Sequence, residues 1–216
     1  SGENFAPRPA WIVLTSAMLQ PVPTSDPAAE IAAWWRLVGL CLPSHEVCGA
    51  VTFAPAGPET LEADWDRWVA EVFLPALHPS LTALQSAAAR QDVVAVLAED
   101  AAIGAELPAD LSGGSLAAGR HLLTAFQPPQ GARLLERLSE AALVDSSAGH
   151  LATVFAARGQ AFHLPFLQVV GALLLAECVL GADAAGVTLP ATQTIDLLQS
   201  AWDRMAALPA VQLLAV

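Results

Sequence analysis

The stretch Leu164-Pro-Phe-Leu-Gln-Val-Val-Gly-Ala-Leu-Leu-Leu-Ala176, followed by Glu177 and Cys178, decides how the rest of this chain is read. It is the longest apolar run in the sequence, interrupted only by Pro165 and Gln168. Thirteen residues fall short of the ~20 that span a bilayer as a helix. The run therefore predicts a buried core helix over Phe166–Leu180, begun by Pro165 and closed by Gly181–Gly186. A carboxyl at Glu177 inside such a helix is costly unless it finds a partner, and Arg158 is the candidate in sequence.

Working outward, the dominant texture is alanine and leucine, the strongest ordinary helix formers, punctuated by Pro, Gly and Ser. On the N-terminal side, Asp26 caps a helix with Pro27 at its first position. Ile31, Trp34, Trp35 and Val38 form its apolar stripe. Leu42–Pro58 reads as irregular, with a short β-like stretch Val47–Phe53. Thr60 then caps a helix bearing Leu61, Trp65, Trp68, Val69 and Val72 on one face. Ser80, after Pro79, caps Leu81–Arg90, and Asp92 starts Val93–Gly104. Pro108–Gly114 is a break before Ser115–Phe126, with Ser115 as its cap. Gln127–Gly131 is a linker. Ala132–Leu143, His150–Phe162 and Leu189–Leu208 complete the set. The expected fold is all-α, a single-domain bundle of about eight helices around one buried central helix. The domain covers residues 25–209, flanked by an N-terminal extension, 1–24, and a tail, 210–216. The tryptophans, at helical spacing, belong to the core.

Composition narrows the function. The 216 residues include no lysine and no tyrosine; nine arginines supply all the side-chain positive charge, and the formal net charge is −12. Hydrophobic residues make up 55 % of the chain and charged residues 14 %, which excludes intrinsic disorder. At this length roughly 70 % of the unfolded surface can be buried. Without lysine there is no Schiff base, no Walker A lysine and no Ser-Lys dyad. The acidic charge opposes nucleic acid and anionic lipid and favours a basic protein or a cation as partner. Three cysteines do not make a disulfide framework, and a cytoplasmic protein is expected.

Few residues suggest chemistry. Cys41, His45 and Cys48 form a C-x3-H-x2-C cluster whose thiolates and imidazole suit Zn²⁺ or Ni²⁺. Structural zinc sites use four ligands, however, and no second Cys or His pair lies nearby; two buried thiols beside a surface histidine fit the same residues. His121, His150 and His163 stand isolated on predicted helices. Asp110-Leu-Ser-Gly-Gly114 lacks the spacing, the lysine and the strand of a phosphate loop. No G-x-S-x-G, H-E-x-x-H or paired C-x-x-C motif is present, so no catalytic residue is assigned.

Four segments, in order, resemble the urease accessory protein UreF family. Leu37-Val-Gly-Leu-Cys-Leu-Pro43 with Gly49 is similar to its opening L-x-L-x-S-x-x-L-P-x-G-x-F segment. Trp65-Asp-Arg-Trp68 sits where the family has its first tryptophan-bearing helix. Ala105-Glu-Leu107 and Ser115-Leu-Ala-Ala-Gly119-Arg-His-Leu-Leu123 resemble R-E-L … S-x-x-x-G-R-x-L-L. His150–Gln199 follows the family's C-terminal half, including Phe155–Gly159 and Leu189-Pro-Ala-Thr-Gln193. Departures are Thr52-Phe-Ala-Pro55 in place of S-x-G-L-E, Ala105 for arginine and Thr192 for glycine.

The resemblance, over residues 37–205, implies a non-catalytic urease maturation factor. Such a protein bridges the scaffold UreD/UreH and the GTPase UreG, assists nickel incorporation into apo-urease, and commonly dimerises. Nickel is handled by the complex, so no cofactor of its own is implied. Partner-binding positions carried over are Pro43, Gly49, Glu106, Ser115, Gly119, Arg120 and Gln193. Three other readings remain open. One is a metal-binding module on Cys41, His45 and Cys48. Another is a helical redox-enzyme maturation chaperone, suggested by His163-Leu-Pro-Phe. The third is a helical enzyme with a pocket that no motif reveals.

Overall fold

The computed structural model describes residues 26–42, 51–125 and 132–208. Among these, eight helices and no strand are found, so the chain is all-α as expected. They are α1 (Pro27–Cys41), α2, α3 (Val93–Glu106), α4 (Ala109–Ala125), α5 (Arg133–Val144), α6 (Leu151–Ala161), α7 (Phe166–Ala184) and α8 (Ala191–Ala206). The second helix is one rod of three segments, Leu61–Trp68, Val69–Leu77 and His78–Ala89.

Two of the expected caps hold. Asp26 accepts from the Ala28 N–H at 3.0 Å, with Pro27 beginning α1, and Asp92 accepts from the Ala95 N–H at 3.1 Å. Three do not. Thr60 makes no side-chain cap; its hydroxyl donates to Asp64 Oδ2 at 2.7 Å instead. Ser80 lies inside α2, because the rod does not stop at Pro79. Its middle segment is wound as a π-helix, in which the His78 N–H reaches back five residues to the Phe73 carbonyl. The wider winding accommodates Pro75, which has no N–H to give and would crowd the carbonyl of Glu71 in an α-helix. Ser115 is likewise not a cap: α4 starts six residues earlier, behind Pro108, and runs through Gly113 and Gly114. Two glycines in a helix interior cost about 1 kcal/mol each relative to alanine, and burial of the far half of α4 offsets them.

The expected central helix is present and longer than expected. α7 has 19 residues, long and apolar enough to cross a membrane by length and composition alone, yet 72 % of its apolar window is buried inside the fold. It packs on α1, α2, α6 and α8. The more enclosed helix is α6, which packs on α1, α2, α3, α4, α5 and α7. Every residue from Leu151 to Gly159 is buried. Alanines and a glycine make this possible, since only small side chains let so many neighbours approach. At Gly159 an added Cβ would lie 2.5 Å from Val169 of α7.

Aromatic rings close one end. Phe53, Trp65, Trp68 and Phe73 form a continuous cluster with ring centroids 5.0–5.9 Å apart. The Trp65 indole donates to the Leu197 carbonyl of α8 at 2.7 Å, so its polar edge is satisfied although it is buried. At Gly171 a Cβ would stand 2.6 Å from the Trp34 ring, which lets α1 lie close on α7.

The glycines of α4 separate two roles. A Cβ at Gly119 would overlap the Gly149 carbonyl, whereas one at Gly113 meets nothing within 4 Å. We expect Gly119→Ala to lower stability by about 2 kcal/mol and Gly113→Ala to raise it by about 0.5–1 kcal/mol, measured by urea unfolding.

Candidate functional site

The positions singled out by sequence do not share one surface. Pro43, His45, Cys48 and Gly49 lie outside the described residues. Cys41 ends α1 and is fully buried, and burial pushes its thiol up to about 12 despite the Arg158 charge nearby. A metal at Cys41 would have to expel that proton in an apolar setting. Among the described residues no cluster of three or more His, Cys, Asp or Glu side chains could hold a metal ion. Glu106 is exposed at the end of α3. Gln193 begins α8, where its amide donates to Glu62 Oε1 at 3.3 Å and ties that helix to α2.

Ser115, Gly119 and Arg120 do come together, around the turn 145–151 that leads into α6. The first N–H groups of a helix have no partner within it. Here the N–H groups of Gly149, His150 and Leu151, which lead into the helix, are buried, and side chains from two other helices satisfy them. Asp100 of α3 accepts from Gly149 N–H at 2.7 Å with one oxygen and from His150 N–H at 2.8 Å with the other. Ser115 Oγ accepts from Leu151 N–H at 3.2 Å. Arg120 donates to the Asp145 carbonyl at 2.9 Å, and Asp145 in turn accepts from Ser147 N–H and Oγ. Gly119 leaves the space into which the Gly149 carbonyl fits, and Gly149 takes φ +102°, open to glycine without strain.

His150 is therefore not an isolated helical histidine. It occupies the N-cap position of α6, buried, with its ring against Gly104, where a Cβ would lie 2.6 Å from Nε2. Burial lowers its pKa, and the Asp100 charge acts in the opposite sense. Nδ1 has no partner. Asp100 escaped the sequence reading because an aspartate in mid-helix carries no local signal. Its partners are 49 and 50 residues away.

The second buried polar centre corrects the Glu177–Arg158 pairing. Glu177 Oε2 accepts from Thr52 N–H at 2.6 Å, Phe53 N–H at 2.9 Å and Thr52 Oγ1 at 3.2 Å. The Trp68 indole donates to the same threonine hydroxyl at 3.1 Å. Glu177 thus pins the segment 51–53 onto the bundle, and Gly181, one turn on, makes room for the Phe53 carbonyl. Thr52-Phe-Ala-Pro55, where the family pattern fails, is the anchored stretch. Of the β-like stretch 47–53, residues 47–50 lie outside the described residues; at 51–53 no strand forms, and the N–H groups of Thr52 and Phe53 go to this carboxyl. Arg158 turns the other way and donates through Nε to the Leu40 carbonyl at 3.2 Å.

Compared with family models, with curated proteins and with solved structures, the chain matches none.

Two outcomes are expected. Asp100→Ala leaves two buried N–H groups unpaired and should cost about 3 kcal/mol, while Asp100→Asn, whose single amide oxygen serves only one of them, should cost about half of that or somewhat more in the same unfolding assay. Burial raises the Glu177 carboxyl from its ordinary 4.5 to about 7, against the three hydrogen bonds that favour its charged form. Its stabilising contribution is complete below pH 4.5 and is lost as pH rises through 7. The melting temperature of Glu177→Gln should therefore gain on the unsubstituted chain as pH rises from about 5 to about 8. A constant difference between the two would count against the raised value.

Proposed function

We propose that this chain is a non-catalytic urease accessory protein of the UreF type. On this reading it works in the cytoplasm as a scaffold between a UreD/UreH protein and the UreG GTPase during nickel loading of apo-urease, and it forms a homodimer through helical faces. The observation that carries the reading is the behaviour of the run Ser115–Leu123, one of the four resembling segments. Its serine, glycine and arginine act together on a single turn, at the N-terminus of the most enclosed helix. In that arrangement the motif residues set the relative positions of α4 and α6, and partner contact falls to the exposed surface around them.

That surface suits a basic partner. The chain carries −12, and its cations are nine dispersed arginines. At the end of α5, Leu143 and Val144 are 73 % and 91 % exposed, next to the exposed carboxylates of Glu140 and Asp145. Apolar contact ringed by acidic groups supplies affinity from the leucine and valine and orientation from the charges.

The test is co-purification of the full chain with UreD/UreH and UreG proteins at micromolar concentration. Binding should be seen at low salt and weaken by about tenfold or more as salt rises from about 0.05 M to about 0.5 M. Failure of both proteins to bind at low salt sinks the proposal.

A further inference from the structure

His150 stands where a charged imidazole is disfavoured. It is the N-cap residue of α6 and only 3 % exposed. The first N–H groups of a helix point toward its N-cap, and that end carries about +0.5 elementary charge. Nδ1 is buried and has no hydrogen-bond partner among the described residues. Thr153, three residues on and fully buried, has a hydroxyl that is equally without a partner, so the two do not bond to each other.

The groups around the ring come from α3, α4 and the turn itself. α3 brings Asp100, whose charge acts on the imidazole, and Gly104, against which Nε2 rests. Both Asp100 oxygens are already engaged, one by the Gly149 N–H and the other by the His150 N–H. α4 brings Ser115 to the Leu151 N–H and Arg120 to the Asp145 carbonyl. The Asp145 carboxylate is engaged by Ser147. The ring therefore sits between a helix end that opposes its charge and one carboxylate that favours it. Burial adds to the first, and the balance keeps the imidazole neutral at pH 7.

We propose that His150 is an acid-operated latch on the start of α6. With the ring neutral, Asp100 holds the Gly149 and His150 N–H groups and the turn 145–151 is closed. A proton taken from solvent turns the ring into an imidazolium with an N–H on both nitrogens. Asp100 then swings from the two backbone N–H groups to the ring, and the turn opens. The turn follows directly on Leu143 and Val144, so its opening displaces the exposed apolar end of α5. The latch does not depend on whether that end meets a partner.

The sign follows from linkage. The closed turn binds the proton more weakly than the open one, in which the imidazole has its ordinary value of about 6.5. Acid therefore favours the open form, increasingly as pH falls below about 6.5.

The experiment is amide hydrogen exchange of the full chain, followed by NMR at pH about 7.5 and about 4.5, with each rate divided by the intrinsic rate at that pH. The readout is the protection of the Gly149, His150 and Leu151 N–H groups relative to Phe155 and Ala156 in the middle of α6. This ratio should fall by about tenfold or more on acidification. In His150→Gln, which takes up no proton, it should stay within about twofold. The ¹⁵N resonances of the unsubstituted imidazole supply a measurement that needs no variant: protonation of the ring should run in step with the loss of protection. A ratio that stays constant in the unsubstituted chain overturns the proposal. So does an equal fall in His150→Gln, and so does a ring that takes up its proton while the three N–H groups keep their protection.

Discussion

The fold depends on burying the start of α6. A helix surrounded by six others cannot leave its first N–H groups to water, and an unpaired buried N–H costs about 1–3 kcal/mol. Asp100 and Ser115 resolve this from α3 and α4, so the residues that satisfy α6 also bind its neighbours to it. Polar satisfaction and helix packing are here the same contact. The small residues of α6 and the bare Cα of Gly119 then let the helices close to a distance at which those hydrogen bonds form.

Glu177 does for the segment 51–53 what Asp100 does for the α6 turn. In both places one buried carboxyl gathers two successive backbone N–H groups that no secondary structure would otherwise use. The settings differ. Asp100 has the imidazole of His150 within electrostatic reach, and Glu177 sits among aromatic rings with only dipoles to hold its charge. Burial therefore dominates at Glu177.

The helices were legible from apolar spacing and from local punctuation wherever the punctuation acts locally. Asp26 and Asp92 cap their own helices, and Pro165 starts α7, within the ordinary rules. The misreadings share a cause. Thr60, Ser80 and Ser115 are of the cap-forming type, but the Thr60 hydroxyl goes to the Asp64 side chain, and Ser80 and Ser115 sit inside helices that did not stop. Pro79 and Gly113-Gly114 read as breaks because their local cost is visible, whereas the packing that offsets it comes from distant helices. That Glu177 needs a partner is legible in its apolar setting, but which partner is not, because sequence shows side chains and hides the backbone N–H groups that meet it. Of the resembling segment 105–123, spacing conveyed that Ser115, Gly119 and Arg120 belong together. That they converge on a turn thirty residues later was not readable from the chain.

The π-wound middle of α2 has a geometric consequence. Each turn there consumes more residues than an α-turn, so the segment lags in rotation behind a regular helix of equal length. The stripe presented by Leu61–Trp68 toward α8 and the stripe presented by His78–Ala89 toward α3, α6 and α7 are consequently out of phase. One continuous element thereby serves as a corner post, facing one wall of the bundle at its foot and another at its head.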